Sequence, residues 1–123
     1  MDAAAVKRLA LELGADKVGI ASAATLNAFP PDPRFPQTPE RISPHCKSVI
    51  VVAFRIPVAV FRCKHKLPVQ YLDMQMNRRM DRVAFKIADH LERRGHPSFI
   101  TAAQETDWHL KKASYGRLST RHL

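Results

Sequence analysis

The side chains best suited to chemistry in this chain fall into three groups. Cys63-Lys64-His65 and the pair His45-Cys46 set soft donors side by side. A tetrahedral metal site usually takes four protein ligands, and neither group has a second pair at a recognised spacing. A solvated loop at 63–65 and a turn marked by Pro44 leading into the strand are the better explanations of the two groups. Arg78, Arg79 and Arg82, with Arg93 and Arg94 beyond, suit a phosphate-contacting face whose grip is sequence-blind and weakened by salt. A solvated helix face is the other reading of the same residues. Lys111, Lys112, Arg117 and Arg121 surround Tyr115 and lie near Trp108. Cations among aromatics suit stacked single-stranded bases or the rim of a cofactor, or else a half-buried Trp that anchors a loop.

Other chemistries have no residues to carry them. There is no Gly-x-Gly-x-x-Gly, phosphate-loop or Gly-x-Ser-x-Gly pattern, so dinucleotide, nucleoside-triphosphate and serine-hydrolase functions have no support. The two cysteines, 46 and 63, give a disulfide framework nothing to build on. No C-x2-C-x2-C-x3-C-P run is present, so the chain holds no ferredoxin-type cluster of its own. Twenty Lys and Arg against eleven Asp and Glu leave a formal charge of +9, which favours anionic partners.

These residues must be positioned by one modest fold. A length of 123 residues with 46% hydrophobic and 25% charged residues fits a single domain spanning 1–123 with enough apolar material for a core. The longest apolar stretch, 48–61, is interrupted by Arg55 and Pro57 and is shorter than the roughly 20 residues a bilayer requires, so no membrane span is expected. Met1–Ala5 lacks the order of a secretory signal, which leaves the cytoplasm as the expected compartment.

Asp2 is placed to cap a helix through about Leu13, with Val6, Leu9, Ala10 and Leu13 on one face and Gly14 as the stop. Lys17–Ala21 then reads as a strand. Prolines at 30, 31, 33, 36, 39 and 44 make residues 22–46 a surface loop. Lys47–Phe54 is an unbroken apolar run, as for a central strand buried on both faces. Val69–Arg94 is a helix with Met80, Val83, Ala84, Ile87, Ala88 and Leu91 as its core stripe, ended by Gly95 and Pro97. Met74, Met76 and Met80 read as packing. Ser98–Ala102 reads as a third strand. LSTRHL at 118–123 looks like the first turn of a helix capped by Ser119 or Thr120, so the chain reads as a fragment or a truncated reading frame. The order predicts a three-layer α/β fold.

ALELGADKVGIASA at 10–23, RISPHCKSVIVVAF at 41–54 and YLDMQMNRRMDRVAFKIADHLERRG at 71–95, in that order, resemble the epoxyqueuosine reductase family and its paralogues. SFITAAQETDW and the later GRLSTRHL are similar to paralogues with a strand, an Ala-Ser-Gln-like turn and a Ser-x-Arg-His helix start. The similarity covers nearly the whole chain, though its weight lies in the ordered set, because each piece alone is common among α/β proteins.

The resemblance implies a cobalamin-binding domain, nitroreductase-like in fold and incomplete at its carboxyl end. It further implies 4Fe-4S clusters supplied by a missing segment or an iron-sulfur partner, and reduction of a modified queuosine nucleoside in tRNA. Backbone groups of Thr101, Ala102, Ala103 and Gln104, with the side chains of Arg121 and His122, are the positions implied beside the corrinoid. The family's proton-donating aspartate falls where this sequence has Thr101, and a threonine cannot deliver a proton near neutral pH as a carboxylic acid does. No catalytic residue is therefore assigned. The departure points to a paralogue of unknown substrate, with Asp107 and Glu105 as less favoured replacements on the following loop. The alternatives are a small basic RNA-binding module without catalysis and an inactive fragment.

Overall fold

The computed structural model describes residues 2–30 and 38–101. Its elements run α1 (Ala3–Glu12), β1 (Lys17–Ser22), α2 (Ala23–Ala28), β2 (Ser48–Ala53) and α3 (Leu67–Arg93), with single stretches of 3-10 helix at Pro39–Arg41 and Val58–Arg62. The protein is a mixed α/β structure, as its residue pattern predicts. β1 and β2 pair in a two-stranded sheet. The Asp16 N–H donates to the Ala53 carbonyl at one end and the Ala23 N–H to the Lys47 carbonyl at the other, so the strands run antiparallel.

By its internal contacts the chain divides into two units, one holding Val52–Ile100 with the residues up to Val18, the other built on Gly19–Val51. In the first unit α1 packs on α3. The Ala5 N–H donates to Asp2 Oδ1 at 2.8 Å, the expected cap, whose loss costs a helix about 1 kcal/mol. α1 ends with Gly14 at φ 111, its N–H bonded to the Leu11 carbonyl and that of Ala15 to the Ala10 carbonyl. That is a Schellman closure, which needs a left-handed residue and so selects glycine. Ala10 and Ala15, the two residues it brings together, are both buried.

α3 repeats the device. Gly95 has φ 84 and bonds to the Glu92 carbonyl while His96 bonds to the Leu91 carbonyl. The helix begins at Leu67, two residues before the expected start, with Pro68 in its first turn, where proline's missing N–H has no helical partner to lose. Val83, Ile87 and Leu91 of α3 and Val6 and Ala10 of α1 are buried, and the two helices are in contact. The two stripes read from helical spacing are thus the ones that close this core.

The second unit corrects the loop expected over 22–46. Ala23–Ala28 is helical because this Pro-free, Ala-rich stretch precedes the prolines, and it stops at Phe29 because Pro30 disfavours the helical conformation before it. Ala23, Thr38 and Pro39 are buried, and Asn27 Oδ1 accepts the Glu40 N–H at 3.1 Å, tying α2 to the 3-10 turn.

Two further strand expectations fail. β2 is not buried on both faces: Ser48, Val51 and Ala53 are exposed, Val51 at 49%. Among the described residues its only strand partner is β1. Residues 98–101 form no strand. Instead the Ser98 N–H donates to Glu92 Oε1 at 2.7 Å and the Ser98 hydroxyl donates to the His96 carbonyl at 2.9 Å. These local side-chain bonds take the place of a ladder.

Candidate functional site

The segment leaving α3 carries the first of the residues expected to line a site. Glu92 in the last turn fixes Ser98, and Phe99 and Ile100 follow with exposed side chains. Thr101 comes next, half-buried and outside regular structure. Ala102, Ala103, Gln104, Arg121 and His122 lie outside the described residues, as do Glu105, Asp107 and the Trp108–Tyr115 basic-aromatic stretch.

The arginine cluster separates. Arg79 turns toward the α1 end: its Nη2 donates to the Gly14 carbonyl at 3.2 Å, and its guanidinium carbon lies 4.9 Å from the centroid of the Phe54 ring. A carbonyl left over at the end of α1 thereby gains a donor, and an aromatic face gains a cation. Arg79 is a structural residue of the first unit, whereas Arg78 and Arg82 are exposed one turn apart on α3. Arg93 pairs with Asp89 at 2.9 Å, as i,i+4 partners do.

Near the Arg79 bond, Asp16 Oδ2 accepts the Arg55 N–H at 2.7 Å. Asp16 thus caps the exit of β2 just as its own N–H caps the strand pair. Neither Asp16 nor Arg79 carries a local sequence signal for this work. Only the juxtaposition of the α1–β1 turn with the end of β2 reveals it.

The soft donors are not gathered. Cys63 is exposed, its thiol directed at the Ala59 carbonyl at 3.6 Å, and Cys46 points to the Ser48 carbonyl at 3.5 Å. Among the described residues no group of three or more His, Cys, Asp and Glu comes together. No described helix is long and apolar enough to cross a membrane.

No family model, curated protein or solved structure matches this chain.

The reading of the site therefore rests on the chain's own groups. Within the first unit the Ser98 hydroxyl is committed to the His96 carbonyl and its N–H to Glu92. Met74, expected as packing, is exposed, while Met76 and Met80 are half-buried as expected.

Proposed function

We propose that this chain is a cobalamin-binding domain of the epoxyqueuosine reductase type, with the three-layer, nitroreductase-like architecture of that family. The observation that supports the reading most is a coincidence of segments and elements. The stretches 10–23, 41–54 and 71–95 that carry the resemblance contain the α1–β1 turn, β2 and most of α3 with its Gly95 closure.

In this reading Thr101, Ala102, Ala103, Gln104, Arg121 and His122 would hold the corrinoid. When bound, the reduced cobalt supplies the reducing chemistry. Backbone groups from Thr101 to Gln104 would be the ones to hold the macrocycle. Glu92 holds the chain leading to that segment through Ser98. Thr101 would bind and orient but would not serve as a proton donor near neutral pH, so the protons that such a reduction consumes would have to come from another acid, for which Asp107 and Glu105 are the less favoured replacements. Electrons come from 4Fe-4S clusters on a partner or further segment, since two cysteines cannot ligate one.

The test is direct. Protein mixed with hydroxocobalamin and desalted should retain a corrinoid spectrum, and a colourless protein sinks the proposal. A second reading, an RNA-binding module without catalysis, is favoured by the +9 charge and by exposed Arg78 and Arg82 on one side of α3. Its mark is salt-sensitive retention of tRNA without corrinoid, reduced in the Arg78→Glu and Arg82→Glu double variant.

A further inference from the structure

The stretch that links β2 to α3 is apolar, basic and exposed almost throughout. From Arg41 to Leu72 the chain holds no Asp or Glu. Within that interval Ile56, Val58, Phe61 and Leu67 are exposed at 46%, 54%, 63% and 65%, and Arg62, Lys64 and Lys66 are exposed among them. Val58 and Phe61 stand three residues apart in the 3-10 helix Val58–Arg62, so they project from one edge of it. Val60 is half-buried and the short helix packs on α3, which leaves the Val58–Phe61 edge free. Leu67 opens α3 after residues 63–66. Asp16 and Asp73, at the two ends of the stretch, accept hydrogen bonds from the Arg55 N–H and from Asn77 Nδ2. Asp73 also lies about a third of a turn round α3 from Leu67.

We propose that this stretch is a peripheral contact site for a bilayer surface rich in anionic phospholipid. Ile56, Val58, Phe61 and Leu67 enter the boundary between headgroups and acyl chains, and Arg62, Lys64 and Lys66 meet the headgroup anions. Positive charge without an interleaved carboxylate selects an anionic partner, and the apolar side chains choose among such partners. Ile56, Val58 and Leu67 have no aromatic face on which a base could stack, as a single-stranded nucleic acid site requires. Lysine is depleted in protein interfaces, whereas a lipid surface takes both kinds of group. The apolar side chains leave water, and each cation near the headgroups adds its own attraction. Lysine stems are long enough to keep the ammonium among the headgroups while the chain beside them is buried. The contact is adsorption without a span, and it is independent of corrinoid binding.

Flotation of the full chain with mixed phosphatidylcholine–phosphatidylserine vesicles tests the site, with pure phosphatidylcholine vesicles and free tRNA as comparisons. The expected result is co-flotation with the mixed vesicles and none with the pure ones. Phe61→Asp and, separately, Leu67→Asp should each lower partitioning by about tenfold or more, with an unchanged circular dichroism spectrum because both side chains are exposed. Lys64→Glu with Lys66→Glu should lower it as far. Lys7→Glu with Arg8→Glu reverses as much charge on exposed residues of α1 and should lower it by less than about threefold, since charges away from the contact are screened. A polarity-sensitive fluorophore on Cys63 of Cys46→Ser protein should shift to the blue when the vesicles are added. Absence of flotation, flotation that both Asp variants leave unchanged, equal losses from the two charge reversals, or an unshifted fluorophore on floated protein overturns the proposal. So does tRNA retention that Phe61→Asp and the Lys64→Glu, Lys66→Glu variant abolish in a chain that does not float, which would assign the surface to nucleic acid.

Discussion

The guanidinium of Arg79 is held between the Phe54 ring, 4.9 Å away, and the Gly14 carbonyl, 3.2 Å from Nη2. One side chain of α3 thereby joins the end of α1 to the residue that follows β2. Arg79→Ala should lower stability by about 1–2 kcal/mol, the sum of an exposed cation-π contact and one hydrogen bond. Arg79→Lys should recover only part of this, because an ammonium lacks the planar fork that reaches both partners. Urea unfolding of the two variants checks it, and an unchanged midpoint for Arg79→Ala would assign the contact no energetic weight.

Ile87 sits in the centre of the buried stripe of α3 at 4% exposure. Ile87→Ala should cost about 2–4 kcal/mol through lost transfer energy and the cavity left behind. Phe85→Ala, two residues away on the outer face, should leave the stability of a single chain nearly unaltered. Thermal unfolding of dilute protein separates them, and equal losses would mean that α3 is not oriented as described.

Among the described residues His90 Nε2 is buried without a hydrogen-bond partner, so within them folding removes a polar atom from water without replacing its bonds. Removing the orphan should be neutral or stabilising by up to about 1 kcal/mol, since an unmet buried polar group carries its full desolvation cost. The variant to make is His90→Leu, and a clear loss of stability would show that this ring nitrogen has a partner.

Glu92 holds Ser98 through its backbone N–H at 2.7 Å. Glu92→Gln keeps an acceptor oxygen but not the charge that shortens such a bond, and Glu92→Ala removes both. Amide hydrogen exchange at Ser98 should therefore quicken slightly in the first variant and strongly in the second. If the corrinoid reading holds, retention of hydroxocobalamin should fall in the same order.

Local patterns determined much of this molecule from sequence. Asp2, Gly14 and Gly95 announce where helices start and stop, because caps and left-handed closures depend on one residue and its immediate neighbours. The stripes Val6–Ala10 and Val83–Leu91 announce buried faces, because helical periodicity is a property of the chain itself. β1 and β2 were equally legible as strands from their β-branched runs.

What the tertiary structure alone decided concerns relations across long sequence separations. An apolar run such as Lys47–Phe54 reads the same whether neighbours cover both faces or one, so its exposure follows only from its pairing with β1. SFITA has strand composition, yet with Glu92 and His96 within reach its first residue bonds locally. Arg79 and Arg78 are adjacent in sequence and alike in type, and a turn of the helix gives one to Gly14 and Phe54 and the other to the outer face. Identity and spacing specify which groups a helix presents, but what meets them depends on which distant segments the fold brings alongside.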